Sequence, residues 1–142
     1  MRDKTDSSPT IFDKSAFQKR CVYDKELEHT ILYGSMEDLQ LQIDTLKQNF
    51  AEGDYHSLAR NAHALKGTSG NLSALRLYAS AEQLEAATKG FQKKGGPTDS
   101  KPKETEIRKE HVEHVDQLIK LTEKQFIEYN ARIQTEYPPE SD

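Results

Sequence analysis

The 142-residue sequence predicts an all-α protein, an antiparallel four-helix bundle with a short N-terminal lid helix and a long C-terminal helix. Three observations predict it. Apolar residues recur at 4-3-4-3 spacing in four separate stretches, one buried stripe for each helix of a bundle, and nothing alternates as a strand would. Between the first two stretches, Ala51-Glu52-Gly53-Asp54 combines a helix stop with an immediate restart, a connection so tight that the next helix must run antiparallel. Composition agrees: 34% hydrophobic and 31% charged residues suit one domain with one modest core.

Taken in order, residues 1–10 are polar, with Ser7-Ser8-Pro9 near their end, and are expected to form a flexible arm ahead of a bundle spanning 11–136. Ile11 and Phe12 precede Asp13, an N-cap for the lid helix, which should end near Cys21. A longer helix is expected over 24–50, because Leu32, Met36, Leu39, Ile43, Leu46 and Phe50 hold one register across Gly34. Ser35 followed by Glu37 and Asp38 offers a competing start there. Gly53 then stops this helix, and Asp54 caps the next, over 55–71, with Leu58, Ala62, Leu65, Ser69 and Leu72 as its stripe.

A turn at 70–73 leads into a helix over 74–88, with Ser73 as candidate N-cap and Gly90 as terminator. Its stripe is Leu77, Ala81 and Leu84, then Ala87 or Thr88. Residues 91–104, rich in Gly, Pro and Lys, should be a mobile loop. The last helix, over 105–135, carries Val115, Leu118, Thr122, Phe126, Tyr129 and Ile133 at core spacing. At 1.5 Å per residue it would be about 45 Å long, so part of it must project or pack on the lid. Residues 137–142 would be a tail.

A net charge of −4 argues against nucleic acid as a partner, which would call for a dense basic face. Cys21 is the single cysteine, so no internal disulfide can form, and a small buried hydrophobe in a reducing compartment is its expected role. No apolar run approaches a membrane span and the first residues lack a secretory signal, so a cytoplasmic protein with no membrane insertion is expected; a monomer is expected too.

Chemistry concentrates on the helix over 55–71. One of its faces carries His56, Ala59, Arg60, His63, Lys66, Gly67 and Gly70, beside the buried stripe, so His63 should point outward. Gly67 and Gly70 each cost about 1 kcal/mol of helix propensity relative to Ala. Bare backbone beside an imidazole would leave it open to another macromolecule's reactive group. Lys66, one turn on, puts a cation where an anion attached to the ring would lie. The residue types point to phosphoryl transfer through a histidine.

The run His63-Ala-Leu-Lys-Gly-Thr-Ser-Gly-Asn-Leu72 resembles the signature of histidine-containing phosphotransfer (HPt) domains, the helical carriers of multistep two-component relays. Outside that run the resemblance covers roughly residues 12–90, including the Phe12-Asp13 pair and lid helix. It implies a phosphocarrier without kinase activity, phosphorylated at Nε2 of His63. Twenty-two residues after the histidine the family commonly has Gln or Glu accepting from Nδ1–H; Glu85 stands there and would orient the imidazole. Lys66 would stabilise the phosphoryl group. Arg60, Ala59, Gly67, Gly70 and Arg76 would meet the partner, a response-regulator receiver domain or a hybrid sensor histidine kinase. No cofactor of its own is implied, since Mg²⁺ is expected on the receiver.

Ser73 departs from this pattern, which usually has Gly ten places after the histidine. If the backbone needs positive φ there, Ser is strained; if it needs an N-cap, Ser is the better residue. Glu85 also reads as a solvated helix residue paired with Lys89 at i+4. A helical interaction module that docks receiver or kinase domains without being phosphorylated is the alternative function. A metal-dependent hydrolase is a third class, but His111 and His114 with Glu110 and Glu113 lack a nearby third histidine or a cysteine and read as a solvated face. His29 and His56 are assigned no role.

Overall fold

A computed structural model of the protein describes residues 9–93 and 105–139, which are helical with short connections: α1 Lys14–Arg20, α2 Lys25–Glu52, α3 Tyr55–Asn71, α4 Leu75–Lys93 and α5 Thr105–Glu136. Helix α2 packs on α3, α3 on α4, α4 on α5 and α5 back on α2, closing a four-helix bundle, and α1 lies against α2. The core is the set of stripes read from the sequence. Leu32, Leu39, Ile43 and Leu46 from α2 meet Leu58, Ala62 and Leu65 from α3, Leu77, Ala81 and Leu84 from α4, and Val115, Leu118, Phe126, Tyr129 and Ile133 from α5, all buried. Met36 and Phe50 are only partly buried at the margin.

Aspartates start three of the helices. The side chains of Asp13, Asp24 and Asp54 accept from the backbone N–H of Ala16, Leu27 and Ser57, each at 3.1 Å, satisfying donors that a helix start leaves orphaned. Helix α2 runs through Gly34 without a break; Ser35 does not start a new helix, and its hydroxyl donates back to Leu32 O at 3.0 Å.

Two helix ends share one hydrogen-bond pattern. After α2, Asp54 N–H donates to Asn49 O (2.9 Å) and Gly53 N–H to Phe50 O (3.0 Å), with Gly53 at φ 72°. After α3, Ala74 N–H donates to Ser69 O (2.9 Å) and Ser73 N–H to Gly70 O (3.1 Å), with Ser73 at φ 57°. This is the Schellman ending, whose left-handed residue is usually glycine. Ser73 is therefore the terminator of α3 and not the N-cap of α4, because an N-cap has extended φ/ψ. Its β-carbon is strained there.

The end of α4 and the start of the tail differ from the sequence expectation. Helix α4 passes through Gly90 to Lys93, since glycine weakens a helix without removing a hydrogen-bond donor, so residues 91–93 belong to the helix and not to a loop. The rest of the expected loop, 94–104, most of the N-terminal arm (1–8) and the end of the tail (140–142) lie outside the described residues. Tyr137 is no tail residue: it is buried, its hydroxyl donates to the wholly buried Glu28 carboxylate at 2.7 Å, and its ring meets Phe12 edge-on. The far end of α5 thus packs on the lid, helped by Lys14–Glu136 at 3.1 Å and a Phe12–Tyr129 ring contact. The lid is fixed from the other side as well, where Arg20 donates to Gly70 O (2.8 Å) and Asn71 O (2.7 Å) at the end of α3.

Candidate functional site

Leu58, Ala62, Leu65 and Ser69 turn one side of α3 into the core, which rotates His63 outward with two-thirds (67%) of its side chain exposed. On α4, Leu77, Ala81, Leu84 and Thr88 are buried, and Glu85, next to Leu84, falls at the α3–α4 seam with only 6% of its side chain exposed. A Cβ on Gly70 would lie 3.3 Å from the Tyr78 ring of α4.

The two helices bring His63 and Glu85 together: Nδ1 lies 2.9 Å from Oε2. Two lysines meet the same carboxylate. Lys66 reaches Oε1 at 3.0 Å and Lys89 reaches Oε2 at 3.1 Å. Burial by itself would push the Glu85 carboxyl up, but hydrogen bonds from Lys66, Lys89 and His63 outweigh it and bring it down to about 2. The hydrogen bond to Glu85 correspondingly pushes Lys66 up. Glu85 is then ionised at neutral pH and can only accept. Nδ1 must carry the proton of that bond, which in an uncharged ring leaves the lone pair on Nε2, on the open edge. The arrangement can present an oriented nitrogen nucleophile in a locally cationic setting.

The other residues singled out from the sequence divide. Arg60 is exposed. Gly67 is exposed too, and a Cβ built there meets nothing within 4 Å, so its bareness serves no internal packing. Gly70 differs, because its missing side chain admits Tyr78. Ala59 was expected on the outer face but is buried, since the covered arc of α3 is wider than its apolar stripe. Arg76 was expected to face a partner, but its Nε donates to Pro9 O at 2.9 Å, its backbone N–H to Thr10 O at 3.0 Å, and Glu128 lies 3.9 Å from Nη1. It straps the entering chain to α4. Lys66 is held on Glu85 by an ion pair at the seam.

Sequence reasoning treated the Glu85–Lys89 pair as the alternative to an imidazole contact, whereas the carboxylate makes both. The signal was present as i,i+4 spacing, but not its coincidence with His63. Arg20 had no signal at all. Among the described residues, no group of three or more His, Cys, Asp or Glu is placed to hold a metal ion, and no helix is long and apolar enough to cross a membrane.

The model of the Hpt domain family matches residues 35–123, from about the end of the third turn of α2 to the middle of α5. No curated protein and no solved structure matches the chain. Since the matched span holds both helices of the seam and covers more than half of the sequence, the chain belongs to the Hpt domain family, whose members carry phosphoryl groups on a histidine and are not kinases.

Proposed function

We propose that this chain is a phosphorelay carrier whose His63 accepts a phosphoryl group from an aspartyl phosphate on a receiver domain and passes it to the aspartate of another receiver. The observation that supports this most is the 2.9 Å contact of Nδ1 with Glu85 on a ring otherwise open to solvent. The Nε2 lone pair forms the N–P bond as the aspartyl O–P bond breaks, and that electron pair leaves with the aspartate as carboxylate. The Nδ1 proton stays, so the phosphorylated ring is cationic, with Glu85 against that proton. Transfer to the second aspartate reverses these steps and returns an uncharged ring.

Lys66 and Glu85 hold the ring's surroundings, with Lys66 as the better covered of the two cations for the phosphoryl oxygens. Arg60 and Gly67 lie on the docking face, Arg60 opposite an acidic partner surface and Gly67 giving clearance. In-line transfer needs a metal to neutralise the phosphoryl oxygens, and Mg²⁺ would come with the receiver. The test is to charge the full chain with a panel of phosphorylated receivers. Acid-labile, base-stable label that is absent from His63→Gln supports the carrier; receiver binding unchanged by that substitution, with no label in the wild type, overturns it in favour of a docking module.

A further inference from the structure

Glu85 presents a conflict within the proposed transfer, and the residue that relieves it is Lys89. A carboxylate against an imidazole fixes the ring but also favours its protonated form, and a protonated Nε2 has no lone pair with which to attack phosphorus. An uncharged amide would orient the ring without that drawback. In this chain the carboxylate is met by two ammonium groups, and they are placed differently. Lys66 sits on Oε1 at 3.0 Å and is mostly covered, with 23% of its side chain exposed. Lys89 sits at 3.1 Å on Oε2, the very oxygen that accepts from Nδ1 at 2.9 Å, and is 59% exposed.

On α3, Arg60 stands one turn before His63, and on α4, Glu82 acts on Lys66 from a distance. Helix α2 meets α3 through uncharged pairs, Gln42 to Thr68 at 3.2 Å and Asn61 to Asn49 at 2.7 Å. Oε2, shared by Nδ1 of His63 and the Lys89 ammonium, is where the two contacts meet. We infer that Lys89 is a positioning residue for the transfer: by neutralising Oε2 it lets Glu85 orient His63 without promoting protonation of the attacking nitrogen. The inference rests on His63 being the phosphoryl acceptor.

The test uses the full chain as wild type, Lys89→Met and Lys89→Arg, with His63→Gln to assign the ring signals. Two-bond proton–nitrogen spectra follow the His63 ring through a pH titration, and phosphoramidate, a small donor that needs no docking, measures its phosphorylation rate across the same range. In Lys89→Met the midpoint moves to higher pH than in wild type, the direction expected for removing one positive charge beside Glu85 Oε2. Phosphorylation near neutrality slows about two-fold and recovers at higher pH, and Lys89→Arg behaves as wild type. An unmoved midpoint in a protein that is labelled normally, or a rate loss equal at every pH, overturns the role of Lys89 alone. Failure of phosphoramidate to label wild-type His63 overturns the acceptor reading and this inference with it.

Discussion

Gly67 separates what helps the fold from what would help the transfer. It is a helix-interior glycine on the surface of α3, and a Cβ built there meets nothing within 4 Å. Replacing it with Ala therefore adds no clash and recovers about 0.8–1 kcal/mol of helix propensity. With an unfolding entropy of about 2.1 cal/mol/K per residue over 142 residues, that corresponds to a rise of about 3 °C in Tm. Gln at the same position forms helix nearly as well as Ala, but side chains on a helix lean over the turn N-terminal to their own Cα, which here is the turn carrying His63. Gly67→Gln should thus match or exceed wild type in Tm while transfer from a phosphorylated receiver falls by about ten-fold or more. Calorimetry and single-turnover transfer on the same samples check both halves. A Gly67→Gln protein that folds well and still transfers at the wild-type rate would refute the clearance argument. So would a Gly67→Ala protein that melts earlier.

Further substitutions test the packing and the electrostatics. Ser73→Gly relieves a left-handed serine at φ 57° and should gain about 0.5–1 kcal/mol in urea unfolding, whereas strain located elsewhere would leave it neutral or destabilised. Tyr137→Phe strands one oxygen of the wholly buried Glu28 and should cost about 2 kcal/mol, with Glu28→Met restoring much of it in the double variant. The Glu85 carboxyl is held below its ordinary value of 4.5, at about 2, so its contribution to stability is complete above about pH 4.5 and lost as pH falls through about 2. The stability gap between wild type and Glu85→Gln should therefore close over that window, and a gap constant down to pH 2 would contradict the pairing.

Much of the bundle was legible because it depends on properties local to one helix. The 4-3 stripes, the aspartate caps and the Gly53 stop each act within a few residues, and α3 and α5 lie where their periodicity put them. What was not legible depends on register between helices. Gly67 and Gly70 look alike in sequence, and only the position of Tyr78 on α4 makes one an open surface and the other a packing contact. Arg76 and Ala59 share helices with the site, but the entering chain claims the first and a wide buried arc the second. At Ser73 both an N-cap and a left-handed terminator were chemically reasonable, and the hydrogen bonds from Ser73 and Ala74 back into α3 decide for the terminator. The spacing of 22 residues that sets Glu85 against His63 was readable through the resemblance, while the two lysines converging on that carboxylate were not.

The account turns on which ring nitrogen is held and which is free. Phosphorus–nitrogen correlation spectra of the protein charged by a receiver report directly where the new bond lies. Phosphorus on Nε2 of His63, with the proton retained on Nδ1, is the predicted result; phosphorus on Nδ1, or on any other side chain of a normally folded protein, would contradict it.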